Sequence, residues 1–128
     1  MKSLVRPLNL MIVDDSTVIR NRIARLVASA QLPAIQITGL AANGEIALQM
    51  ARETPPDLIT MDLTMPNMDG ETCIAEIARF LPNAQILVVS ALSDKATALR
   101  AILKGAHGFL HKPFTDQELI DSLIELIA

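Results

Sequence analysis

The chain has no tryptophan and no tyrosine, and only 3 phenylalanines in 128 residues. Proteins that hold single-stranded nucleic acid stack bases on such rings, so the sequence lacks the platforms for that work. It also lacks a basic block. Acidic and basic residues are interspersed and the formal net charge is -3, which speaks against nucleic acid and against an anionic membrane as partners. Cysteine is nearly absent. The single Cys73 cannot form an internal disulfide and reads as a small core residue rather than a reactive thiol. No apolar run is long enough to span a bilayer. The opening Met1-Lys2-Ser3-Leu4-Val5-Arg6-Pro7 has no signal-peptide core. The cytoplasm is the expected compartment.

What the chain does have is apolar content, 51% of residues, enough for one well-filled domain. Residues 1–7 read as a short tail and 8–128 as the domain. The organising stretch is Leu58-Ile59-Thr60-Met61-Asp62, an apolar run that stops at a carboxylate. A run of that length fits a strand buried on both faces, as at the centre of a parallel sheet. Pro55-Pro56 precedes it, and the loop-forming Met65-Pro66-Asn67-Met68-Asp69-Gly70 follows. Helical pattern resumes only near Glu71, too far on for Asp62 to be its N-cap. Asp62 thus stands at the carboxyl end of a central strand, where open α/β sheets place their ligands.

Residues 8–13 form an equivalent apolar strand ending in Asp14-Asp15. Ser16 or Thr17 can cap a helix with Ile19, Ile23, Leu26 and Val27 inward, Arg20, Arg22 and Arg25 off that face, and Pro33 closing it. Residues 35–41 alternate as an edge strand would. Asn43-Gly44 reads as a turn and no more. A short helix follows over 45–52, with Ala47, Met50 and Ala51 inward. After the central strand comes a helix over 71–80, with Ile74, Ile77 and Ala78 buried and Pro82-Asn83 breaking it. The fourth strand, 85–89, ends at Ser90. Ser93 is placed to cap a helix running to Lys104, with Gly105 as its C-terminal stop. Residues 107–110 make a fifth strand, followed by Lys112-Pro113. Thr115 and Glu118 form a capping box for a last helix carrying Leu119, Leu123 and Leu126.

Strand and helix therefore alternate five times. That pattern implies an α/β three-layer sandwich, and right-handed crossovers favour the flavodoxin-like strand order 2-1-3-4-5. In that order the strand-end groups Asp14, Asp15, Asp62, Ser90 and Lys112 converge on one edge. Crowded carboxylates repel and push at least one pKa upward. Mg2+ resolves the conflict, since it prefers oxygen ligands, uses few carboxylates and keeps waters that a phosphate can replace. Lys112 adds a positive charge and Ser90 a hydroxyl donor, so the group suits a phosphoryl pocket. Asp62, central between them, is the candidate nucleophile. Helix capping and solvation would account for any one of these residues taken alone. They do not account for all of them standing at strand ends.

Val13-Asp14-Asp15-Ser16, the stretch from Met61 to Gly70, Ser90-Ala91 and Lys112-Pro113-Phe114 together resemble the receiver domain of bacterial response regulators. The likeness spans nearly the whole chain. Because the chain ends with its last helix, the expectation is a single-domain, CheY-like member with no output domain. The resemblance implies a phosphorelay function. Asp62 would accept a phosphoryl group from a sensor histidine kinase or a histidine phosphotransfer domain. Mg2+ would be held by Asp15, Asp62 and the main-chain carbonyl of Thr64, with Asp14 acting through water. Ser90 and Lys112 would grip the phosphoryl oxygens, and the Lys112-Pro113 peptide would be cis. The same likeness expects a downstream protein to bind the face made by the fourth helix, fifth strand and last helix, with chemotaxis as one candidate pathway.

Two positions depart from the family's habit. Ser90 stands where threonine is common, which keeps the donor but loses the methyl that restricts rotation. Phe109 stands where tyrosine is common; it reads equally as a switch residue and as core. Thr64 and Leu92, each two residues beyond a site residue, are positions that tune phosphate lifetime in this family. His107 and His111 lack the companions of a metal site and read as surface residues, with His111 placed to modulate Lys112. Met61, Met65 and Met68 read as flexible packing. Among competing functions, an aspartate-nucleophile phosphatase needs a second acid two residues after Asp62, where this chain has Thr64. A flavin module needs a Ser/Thr-rich phosphate loop and aromatic rings. A phosphate sink for a shared kinase keeps the same site without a target. No enzymatic turnover beyond self-phosphorylation and autodephosphorylation at Asp62 is expected.

Overall fold

The computed structural model describes residues 6–92 and 94–128. Strands β1 (Leu8–Val13), β2 (Ile35–Ala41), β3 (Leu58–Met61), β4 (Gln85–Ser90) and β5 (Gly108–His111) alternate with helices α1 (Thr17–Leu26), α2 (Gly44–Glu53), α3 (Gly70–Phe80), α4 (Lys95–Lys104) and α5 (Asp116–Ile127). The strands form one sheet in the order β2-β1-β3-β4-β5, all paired in parallel. This is the expected flavodoxin-like topology.

The apolar runs explain the layering. Every residue of β3 is buried, as are most of β1 and β4, because helices cover both faces of the sheet. Alternate side chains feed two cores. Met11, Val13, Ile59, Met61, Ile86 and Val88 point to the side that α2 and α3 cover with Ala47, Ala51, Ile74 and Ile77. Leu10, Ile12, Leu58, Leu87 and Val89 point to the other, against Ile23 of α1 and Leu119 and Leu123 of α5. Cys73 is buried in the first core, and burial pushes its thiol up to about 12. The edge position expected for residues 35–41 holds, since β2 pairs on one side only.

Local details differ from the sequence reading in instructive ways. Helix α1 stops at Leu26 and does not run to Pro33. Ala28 and Ser29 donate to Arg25 and Leu26, so tighter three-residue turns end the helix early. Asn43 does more than turn the chain: its side chain accepts from the Ile46 N–H and caps α2. Leu48 is buried alongside Ala47 and Ala51, whereas Met50 is half-exposed. Asp69 caps α3 and Asp94 caps α4. Ser93, the residue expected in that last role, lies outside the described residues. β5 starts one residue late, at Gly108; His107 before it already touches β4, its N–H donating to the Ile86 carbonyl at 2.8 Å and its ring Nδ1 accepting from the Ile86 N–H at 3.0 Å. Gly105 ends α4 at φ 130, a backbone state that suits glycine. The Thr115–Glu118 capping box is formed as expected.

Candidate functional site

The carboxyl ends of β1 and β3 are locked side by side. Asp62 N donates to Val13 O at 2.9 Å, and Asp14 N donates to Ala41 O at 3.0 Å on the other flank. Helix α3 then returns against the strand end. Gly70 N donates to Leu63 O at 3.1 Å, and Gly70 lies so close to the Asp62 carbonyl that a methyl group there would collide with it. The Asp62 side chain is 6% exposed and the Asp14 side chain 2% exposed. Asp15, one residue on, is exposed to solvent.

These acids meet. One oxygen from each of Asp14, Asp15 and Asp62 lies within 4.8 Å of the others. Lys112, after β5, donates to Asp14 Oδ2 at 2.9 Å and stands 3.8 Å from Asp62 Oδ1. The other Asp14 oxygen accepts from the Ser16 N–H at 2.9 Å. Asp62 is served less well. The Thr64 N–H reaches its Oδ1 at 3.4 Å, and Lys112 is spent mainly on Asp14. Burial pushes the Asp62 carboxyl up to about 6, with the Asp14 charge adding to the rise and Lys112 and the Thr64 N–H opposing it. An all-oxygen cluster short of positive charge fits a hard divalent cation.

Ser90, at the end of β4, is fully buried, and its hydroxyl accepts from the Leu92 N–H at 3.1 Å. It is therefore turned into its own loop. Phe109 is half-buried and packs against the core on the α2–α3 side. The Lys112-Pro113 peptide is cis.

Against known proteins, residues 10–124 match the response regulator receiver domain. The chain belongs to that family. It is 37% identical over 113 residues to the chemotaxis protein CheY of Thermotoga maritima, covering 88% of this chain and 92% of the relative. It is 40% identical over 114 residues to a protein-glutamate methylesterase/protein-glutamine glutaminase of Anaeromyxobacter dehalogenans, where it spans 33% of the longer protein. Its fold superposes with a TM-score of 0.88 and 31% identity on a chain of the CheX-CheY-BeF3-Mg complex from Borrelia burgdorferi, covering 95% of this chain and 90% of that one. This receiver domain is accordingly a module of two-component signalling.

Of the residues singled out in the sequence, Asp14, Asp15, Asp62 and Lys112 come together directly. Thr64 is tied to Asp62 through its N–H. Arg20, which the sequence pattern places only off the apolar face of α1, reaches the site through the main chain. Its Nη1 donates to the Asp14 carbonyl at 2.6 Å and its Nη2 to Thr17 Oγ1 at 3.1 Å. His111, expected at the surface beside Lys112, has its ring Nε2 3.1 Å from the Ala91 carbonyl, bridging β5 to the loop after Ser90. No helix of the described chain is long and apolar enough to cross a membrane.

Proposed function

We propose that this receiver domain is a phosphorylation-controlled switch in which Asp62 accepts a phosphoryl group from a phosphohistidine. The observation that carries this reading is the cluster itself: a buried, under-neutralised aspartate at a central strand end, with two further acids within 4.8 Å and a lysine at 3.8 Å. The donor set fits Mg2+, which Asp15, Asp62 and the Thr64 main-chain carbonyl would hold, with Asp14 acting through water. When bound, the ion supplies positive charge that offsets repulsion between the acids and the incoming phosphoryl oxygens. The chain's own residues do the rest. The Asp62 carboxylate attacks phosphorus, the histidine nitrogen leaves, and a mixed anhydride forms. Lys112 can swing from Asp14 toward the new oxygens, a short move given its present distances. Ser90 can exchange its bond from Leu92 for a phosphoryl oxygen.

That exchange would shift the loop after β4 and the environment of Phe109. The face of α4, β5 and α5 is then biased between two states with different contacts for a partner. Apolar Leu99 and Leu103 stand exposed on α4. The relatives named as chemotaxis proteins support a target in motility control, with the protein working in the cytoplasm. The phosphatase reading loses ground at Thr64, which is no acid.

The test is phosphotransfer from a histidine kinase, or from acetyl phosphate, with and without Mg2+. The expected product is one base-labile phosphate per chain that EDTA prevents. Full labelling of an Asp62→Asn variant would overturn the reading.

A further inference from the structure

Arg20 sits where a helix least favours it. It lies in the opening turn of α1, its N–H bonded to the Ser16 carbonyl at 3.0 Å, so its positive charge faces the positive end of the helix dipole. Arg20 as a whole is half-buried. A cation kept in such a place needs a compensating partner, and the structure provides one. Nη1 donates to the main-chain carbonyl of Asp14 at 2.6 Å, while Nη2 is braced on Thr17 Oγ1 at 3.1 Å.

That carbonyl belongs to the peptide joining Asp14 to Asp15. The same short segment is held at Asp14 N by Ala41 O at 3.0 Å and at Asp14 Oδ1 by Ser16 N at 2.9 Å. With the Arg20 bond added, the peptide plane has fixed partners before and after it. The exposed Asp15 side chain springs from that plane, so its direction is set by bonds that do not touch it.

We propose that Arg20 is a positioning residue for the cation site: it aims the Asp14-Asp15 peptide so that both carboxylates point at one ion. The inference rests on the Mg2+ reading given above. Two effects of Arg20 have opposite signs, which makes the proposal decidable. As a bare charge near the site, Arg20 repels a cation, and its removal would tighten binding. As a fork that holds a ligand's backbone, it preorganises the site, and its removal weakens binding. Lysine keeps the charge but not the planar two-point fork.

Isothermal titration of Mg2+ into the metal-free chain, with thermal melts alongside, separates these. The wild-type chain is expected to bind. Arg20→Lys and Arg20→Ala are each expected to raise the Mg2+ Kd about tenfold, in the range seen when outer-shell partners of a metal site are lost. Their melts should stay near the wild-type value, because the bonds lost are local. Wild-type affinity in Arg20→Lys, or tighter binding in Arg20→Ala, would overturn the proposal while leaving the metal site intact. Failure of the wild-type chain itself to bind Mg2+ would defeat the metal reading and this proposal with it.

Discussion

Strand β3 carries an aspartate just beyond each end, and the two have opposite fates. Asp57 precedes the strand. Its carboxylate accepts both nitrogens of the Arg6 fork at 2.8 Å and the Asn9 N–H at 2.8 Å. The Arg6 hydrogen bond chiefly holds its carboxyl below the usual range, against the opposing effect of burial. Asp62 follows the strand. It shares one lysine with Asp14, receives one long N–H bond, and is pushed up to about 6. Residue type and strand are the same. What differs is how fully each charge is answered within the chain. The satisfied acid ties the start of the domain to the sheet. The unsatisfied one keeps bonding capacity that the described residues leave unused, which is what the proposed cation and phosphoryl group would draw on.

The sharpest way to break this contrast is to remove each acid and follow phosphorylation. Asp62→Asn is expected to lose phosphate incorporation from acetyl phosphate essentially completely, and Asp57→Ala to keep it. Incorporation measured by mass spectrometry decides the matter, and equal effects at both ends would erase the distinction.

Stability should respond with opposite signs. The fold raises the Asp62 pKa from 3.8 to about 6, so this group's contribution is fully present below 3.8 and is lost as pH rises through 6. In EDTA at pH 7.5, Asp62→Asn is expected to be more stable than wild type by about 2 kcal/mol, with the gap closing toward pH 4. Urea unfolding at the two pH values measures it. At the other end, the lowered Asp57 pKa contributes stability above the unfolded value that fades as pH falls through the folded one. Asp57→Ala is expected to destabilise by about 1 kcal/mol at neutral pH through loss of the Asn9 bond, with a smaller penalty in acid.

The smallest effect lies between the two acids. Thr60, in mid-strand, pairs with Ile12 and Leu87, and its buried hydroxyl has no hydrogen-bond partner among the described residues. Thr60→Val removes an unanswered polar group at nearly constant shape. It is expected to stabilise by about 0.5 kcal/mol in the same urea assay and leave phosphorylation unchanged.

The site's strand-end residues were legible because their signal is positional: an apolar run that halts at a carboxylate marks both the strand and its end. Convergence followed from topology, since Asp14, Asp62, Ser90 and Lys112 fall beyond adjacent strands in one order of the sheet. What stayed hidden depends on acceptors that carry no sequence signature. Arg20 finds a main-chain carbonyl, and any residue could offer one. Asp57 finds Arg6 across 51 positions, with no periodicity linking them. The early end of α1 was masked by Val27, which continues the apolar stripe past the last helical turn. The role of Asn43 was half visible, since the same side chain suits a turn and a cap.

The most direct test of the central claim is chemical mapping of the acceptor. The chain is phosphorylated with acetyl phosphate and Mg2+, then treated with borohydride, which reduces an acyl phosphate on aspartate to homoserine. Peptide mass spectrometry should find homoserine at position 62 and aspartate still at 14, 15 and 57. Reduction at another aspartate, or a phosphate that resists borohydride altogether, would contradict the account.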